Sequence, residues 1–175
     1  TDKWSSLTFF NEDEEHPQKV SIKLSGIEGC GGVGLQADKR YYVYDFWNDK
    51  LIGAFGGNDT LEQELRKGEA RQMAVREVEN NPQVLSTDRH LLQGFLELSE
   101  VFWNGETQEL TGCAELVEGE PMHIAIAING WQPRHCTVSD KEVICSLENS
   151  SEDVVKLSLE SEHGGKVLWK FSFKK

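Results

Sequence analysis

The chain has 175 residues, 38% hydrophobic and 27% charged, enough to bury a core as one sandwich or two small domains and too aromatic for disorder. Its formal net charge of −12 repels a phosphate backbone, so nucleic acid and anionic membranes are poor partners, while neutral sugars are unaffected. No apolar run approaches the roughly 18–20 residues of a membrane-spanning helix.

The opening Thr1-Asp2-Lys3-Trp4-Ser5 has no initiator Met and no basic or apolar leader, which reads as a mature terminus or the cut end of a longer chain. Lys19 to Leu24 alternates polar and apolar residues and places Val20, Ile22 and Leu24 on one face of a strand. Gly29-Cys30-Gly31-Gly32-Val33-Gly34 follows as a flexible turn. It lacks the Lys-Ser/Thr of a phosphate loop and precedes a strand rather than a helix. Tyr41 to Trp47 reads as an aromatic strand, Asn48-Asp49 as a turn, and Lys50 to Phe55 as its hairpin partner. Leu61 to Val78 has helix-favouring charges, but Gly68 at its middle and the turns at both ends predict a hairpin, with a bulge in Ala70 to Val78. Pro82 to Leu85 and His90 to Leu98 are further strand candidates.

Leu98 to Trp103, the turn Asn104-Gly105, and Thr107 to Leu116 form a predicted hairpin. Met122 to Ile128, Thr137 to Val143, Val154 to Leu159 and Val167 to Phe173 complete the series, with turns at Asn129-Gly130, Asn149-Ser150 and Gly164-Gly165. The last strand buries its odd positions, Val167, Trp169, Phe171 and Phe173. Strands at this spacing predict an all-β fold: an antiparallel β-sandwich of Greek-key type over residues 1–96, then a second small antiparallel sandwich over 97–175, joined near Gly94 to Glu100. Cys30, Cys113, Cys136 and Cys145 are too sparse for a disulfide scaffold or a CxxC zinc site. Cys136 and Cys145 can bridge neighbouring strands, although three pairings exist and sequence does not choose. Asn58-Asp59-Thr60 and Asn149-Ser150-Ser151 match the glycosylation sequon, as chance alone allows.

Three pieces of the first half resemble the C-terminal β-domain of α-galactosidase-like (β/α)8-barrel glycoside hydrolases. Trp4-Ser5-Ser6-Leu7-Thr8-Phe9-Phe10-Asn11 and Val20 to Leu24 look like its opening strands. Tyr42-Val43-Tyr44-Asp45-Phe46-Trp47-Asn48 with Leu51-Ile52-Gly53 looks like its valine-tyrosine-aspartate-phenylalanine-tryptophan strand and return. Leu65 to Ala70 and Pro82 to Gly94 look like its closing strands. The likeness covers residues 4–95. Glu12 stands where the family often has Trp, and the loop from Gly29 to Lys39 is richer in glycine. In that family the catalytic carboxylates sit on the barrel, which these residues do not contain, so no catalytic position carries over. The resemblance implies a β-module that supports a barrel.

Each site candidate has an ordinary reading beside the functional one. Asp45 and Asp88 invite an acid–base pair, yet a satisfied carboxylate is the commoner state. Ser86, Asp88 and His90 would share a strand face, which suits a polar network as readily as a triad. His16, His90, His123, His135 and His163 are scattered without zinc-ligand spacing, so neither metal nor cofactor is expected. Carbohydrate contact has the better candidates: Trp131 in the turn Asn129 to Pro133, Trp103 beside Asn104-Gly105, and Trp47 beside Asn48-Asp49. For Trp47 and Trp169, packing into a core or against a barrel is the favoured reading, whereas Trp131 is expected to be exposed as readily as buried.

The sequence therefore predicts a non-catalytic accessory β-domain of a glycoside hydrolase, partnered by a catalytic barrel or carbohydrate and open to self-association. The alternative is an independent carbohydrate-binding protein of the cell surface or periplasm, in keeping with a periplasmic or extracellular setting.

Overall fold

The computed structural model describes residues 4–28, 30–149 and 151–175, without the side chains of residues 28 and 149. The predicted start at Thr1, the Gly29 end of the glycine-rich loop, and the sequon and turn at Asn149-Ser150 lie wholly or partly outside the described residues. Every element described is a β-strand, and every strand pairing is antiparallel. The chain divides into two compact units, Thr1–Val78 and Glu79–Lys175.

The first unit contains β1 (Trp4–Phe10), β2 (Gln18–Glu28), β3 (Arg40–Asp45), β4 (Lys50–Gly56), β5 (Thr60–Leu65) and β6 (Ala70–Glu77). One sheet runs β1-β6-β3-β4 and a second pairs β2 with β5. Both sheets feed one core: Phe9, Tyr41, Val43, Met73 and Val75 from the first, Leu24, Leu61 and Leu65 from the second. Val20 and Ile22 pack against that core, as the alternation in this strand predicts. β3 and β4 form the expected hairpin.

β5 and β6 are strands, not a helix, but they do not pair with each other. The turn at Gly68, at φ 62°, carries the chain from one sheet to the other. The Glu69 carboxylate holds this turn, accepting from the Arg66 N–H (2.6 Å) and from Arg71 Nε (2.9 Å). The bulge expected in β6 is absent too, since its pairing to β1 and β3 runs without a register shift. β6 breaks strict alternation because it is a central strand buried on both faces, so no inserted residue is needed. At its end the Arg76 guanidinium stacks on its cross-strand partner Trp4, 3.3 Å from the ring centre.

The second unit contains β7 (Gln83–Thr87), β8 (Leu98–Asn104), β9 (Glu109–Leu116), β10 (Met122–Ala127), β11 (Gln132–Val138), β12 (Ile144–Asn149), β13 (Val154–Glu160) and β14 (Gly165–Lys174). Two four-stranded sheets, β12-β13-β10-β7 and β11-β14-β9-β8, bury Ile124, Ile126, Leu157 and Leu159 from one and Val167, Trp169 and Phe171 from the other. The Asn104-Gly105 hairpin forms as predicted, and β14 buries its odd positions. β11 begins earlier than the predicted Thr137 to Val143 segment, and β12 is a strand where the sequence pattern predicts none.

The expected junction near residue 96 is displaced to Val78/Glu79. β7 pairs with β10, so residues 82–94, read as closing strands of the first sandwich, belong to the second unit. Their cross-strand hydrogen bonds decide this, and they connect residues that sequence patterning cannot pair. His90 to Leu98 is also not a strand: residues 91–97 form turns, with Gln93 and Gly94 at positive φ.

Cys136 on β11 and Cys145 on β12 form a disulfide. The two strands are neighbours in the chain but lie in different sheets, so the bond ties one sheet of the second unit to the other. The sequence separation is 9, and closing a loop of that length restricts the unfolded chain enough to stabilise by about 2–3 kcal/mol. Replacing both cysteines with serine is expected to lower unfolding free energy by about that amount in urea titrations. A second expectation concerns Gly112, whose Cα partner is Trp169. A Cβ at Gly112 would lie 2.5 Å from Trp169 Cζ2. Gly112→Ala should cost about 1–3 kcal/mol by overpacking, measured in the same titration.

Candidate functional site

The three tryptophans singled out from sequence have different fates. Trp47 lies just beyond the end of β3 and is 62% exposed, its ring edge-on to Phe46 at 5.0 Å. The turn that presents it is held by a buried carboxylate. Asp45 accepts from the Asn48 N–H (3.1 Å) and from Asn48 Nδ2 (2.7 Å), and the Tyr44 hydroxyl donates to Asp49 (2.8 Å). Of the two packings expected for Trp47, into a core or against a barrel, the one into this chain's own core is therefore corrected. The strand stops at Asp45 because that side chain caps the turn, and the ring two positions on is left in solvent.

Trp131 goes the other way and is only 9% exposed. Asn129 and Gly130 both adopt positive φ, 50° and 77°, as a type I′ turn requires. The turn closes with the Trp131 N–H donating to the Ile128 carbonyl (2.9 Å) and folds the indole inward, where Nε1 donates to the Asn80 carbonyl (3.2 Å). Trp103, half-buried, packs edge-on to Trp131 at 4.9 Å and near Phe173 at 5.9 Å. Lys175 Nζ lies 5.5 Å from the Trp131 ring centre. Trp131 and Trp103 are thus an aromatic cluster within the second unit rather than an open platform. Trp169 is buried, as expected.

The Ser86, Asp88, His90 set is not assembled. Ser86 is buried and hydrogen-bonds Gln93 (2.9 Å) and the Thr87 carbonyl (3.1 Å), while β7 has ended before the exposed Asp88 and His90. Asp88 instead holds His123, accepting from its N–H (2.9 Å) and lying 2.6 Å from its ring Nδ1. The aspartate thereby fastens the chain after β7 to β10. Asp45 and Asp88 are in different units, the first holding its local turn and the second holding His123 on β10. No grouping of three or more metal-ligating side chains occurs among the described residues.

Two features escaped the sequence reading. Within the turns of residues 91–97, Leu91, Leu92, Phe95 and Leu96 are each between 43% and 59% exposed. Beneath them lie the buried Gln93 and Glu97, with Glu97 accepting from Thr87 and Gln93 bonded to Ser86. The apolar run imitates a strand, and only its glycine, Gly94, signals the turns. The second feature is a groove of about 380 Å³ lined by residues of β8, β9, β11 and β14, including Glu100, Thr111, Leu168 and Lys170. At its side Glu109 has its carboxyl held below the usual range, first by the hydrogen bond from Thr107 and then by Lys170, whose Nζ is 3.3 Å away.

The exposures separate the two turn tryptophans in a measurable way. Trp47→Ala should shift unfolding free energy by less than about 0.5 kcal/mol, as for an exposed residue outside a packed cluster. Trp131→Ala should cost about 3–5 kcal/mol, because it empties a packed aromatic site and removes an indole hydrogen bond. Paired urea titrations of the two variants check this. In comparisons with known proteins, no family model and no curated protein matches the chain.

Proposed function

We propose that this chain is a non-catalytic β-module that acts beside the catalytic barrel of a glycoside hydrolase, seating itself against the barrel and aiding contact with carbohydrate. The observation that carries the reading is the segment 91–96, which presents Leu91, Leu92, Phe95 and Leu96 to solvent on a short run of turns. Contiguous exposed apolar groups of this kind mark interaction surfaces, because leaving them in water forfeits their burial energy. The buried polar pairs below them, Thr87 with Glu97 and Ser86 with Gln93, fix the turns so that a partner meets a preformed surface. The likeness of residues 4–95 to the β-domain of α-galactosidase-like hydrolases agrees with such a role, although those residues are shared between two units. The carboxylates considered for acid–base work agree with it as well, since Asp45 is engaged in holding its turn and Asp88 in holding His123.

A second reading, an independent carbohydrate-binding protein of the cell surface or periplasm, rests on the exposed Trp47 ring. An indole face accepts the apolar face of a sugar, and a turn beside it is a usual place for such a platform.

Reading the coding sequence upstream of Thr1 tests the first proposal directly. An in-frame (β/α)8 barrel supports it, and a stop codon followed by an export signal overturns it in favour of the second. The chain alone offers another check. With its docking surface unoccupied it should self-associate at micromolar to millimolar concentration, about −8 to −4 kcal/mol. Leu92→Glu with Phe95→Glu should yield a monomer with an unchanged melting temperature. Light scattering that finds the wild type already monomeric at millimolar concentration removes the patch from the proposal.

A further inference from the structure

We infer that the groove on the sheet β11-β14-β9-β8 is a binding site for a small neutral saccharide, distinct from Trp47 and from the segment 91–96. Its position follows from strand register. Thr137 pairs with Lys170, Lys170 with Thr111, and Thr111 with Phe102, so these four side chains form one row across all four strands. Directly opposed residues in antiparallel strands project to the same face, here the face opposite the buried Trp169 and Phe171. Leu168, two positions from Lys170 and therefore on the same face, is 55% exposed, and Phe102 is 62% exposed.

A register shift between Ser99 and Phe102 puts a bulge in the edge strand, and Glu100 within it adopts φ 54°. A non-glycine residue in this conformation is uncommon, and bulges redirect side chains at sheet edges and beside binding sites. Here the bulge adds Glu100 to the groove wall. The floor is the strand backbone at Gly112 and Trp169, which is stiffened from the other face by the indole lying against Gly112.

The chemistry of this surface selects its ligand. Leu168 offers apolar contact within the groove, with the exposed Phe102 beside Thr111 in the same row, while Thr111, Thr137, Glu100 and Lys170 offer hydroxyl, carboxylate and ammonium partners. A pyranose carries the complementary pattern of C–H faces rimmed by hydroxyls. An anionic ligand is disfavoured, because Lys170 is already paired with Glu109 and Glu100 adds a further negative charge. An extended peptide is disfavoured because the groove lies on a sheet face, where backbone groups are already paired, whereas strand addition requires an edge. The volume of about 380 Å³ is near the lower end of small-ligand sites, which run roughly 300–1,000 Å³, and suits a mono- or disaccharide rather than a long chain.

The test is a ¹⁵N–¹H NMR titration of the full chain with maltose, mannobiose and melibiose, each to about 20 mM, well above a millimolar dissociation constant. At least one sugar should produce saturable shifts at the amides of Thr111, Thr137 and Leu168. Leu168→Glu and the near-isosteric pair Thr111→Val with Thr137→Val should each weaken that binding by about tenfold or more, with thermal melts unchanged. Trp47→Ala and the Leu92→Glu, Phe95→Glu variant should bind as the wild type does, which separates this site from both readings given under the proposed function. Absence of saturable shifts with all three sugars overturns the inference. So do shifts confined to the Trp47 turn, or binding that survives both groove variants in their folded state.

Discussion

The second unit depends on a close approach between two strands, where the Trp169 indole lies on the inner face against Gly112. Any larger residue at Gly112 would put a carbon within 2.5 Å of the ring, so the fit requires that one side chain be absent. The large ring fills the space left by the glycine and joins Phe171 and Phe173 in a continuous inner face. Because β14 commits its odd residues to that face, its even residues Leu168 and Lys170 have to face outward, where they help line the groove. A one-residue slip in register would exchange the two sets and lose both core and groove.

The disulfide complements this arrangement. Packing of the inner faces holds the two sheets together through many weak contacts, while Cys136–Cys145 joins them covalently at the β11–β12 connection. β11 is an edge strand whose residues are mostly exposed or half-buried. It has little apolar burial of its own, so the crosslink falls where packing is thinnest.

Local polar bonds decide how the aromatic groups are used. At the β3–β4 turn, Asp45 turns back to bind Asn48 and leaves Trp47 outside. At Asn129-Gly130, the left-handed pair reverses the chain so tightly that Trp131 enters the cluster with Trp103. Each tryptophan follows or adjoins an asparagine-containing turn, and each would pass for a platform on sequence alone. The same economy governs segment 91–96, where Ser86, Thr87, Gln93 and Glu97 take up the polar bonds and the apolar side chains remain outside.

Local patterning in the chain is enough to specify the all-β class, the alternation in β2 and β14, the β3–β4 hairpin and the Asn104-Gly105 hairpin. All of these depend on local periodicity and turn residues, which act over a few positions. It allowed the Cys136–Cys145 bridge without selecting it, and it marked Trp47, Trp103 and Trp131 without sorting them. Tertiary structure decided the rest: that β5 and β6 enter different sheets, that β7 joins β10 and moves the boundary to Val78, and that Asp88 holds His123 rather than a triad. It also placed Thr137, Lys170, Thr111 and Phe102 in one row. These outcomes all turn on which distant backbone groups satisfy one another. Hydrogen-bond partners between strands are nearly identical chemically, so their choice is made by the packing of the whole unit and leaves no local mark in the chain.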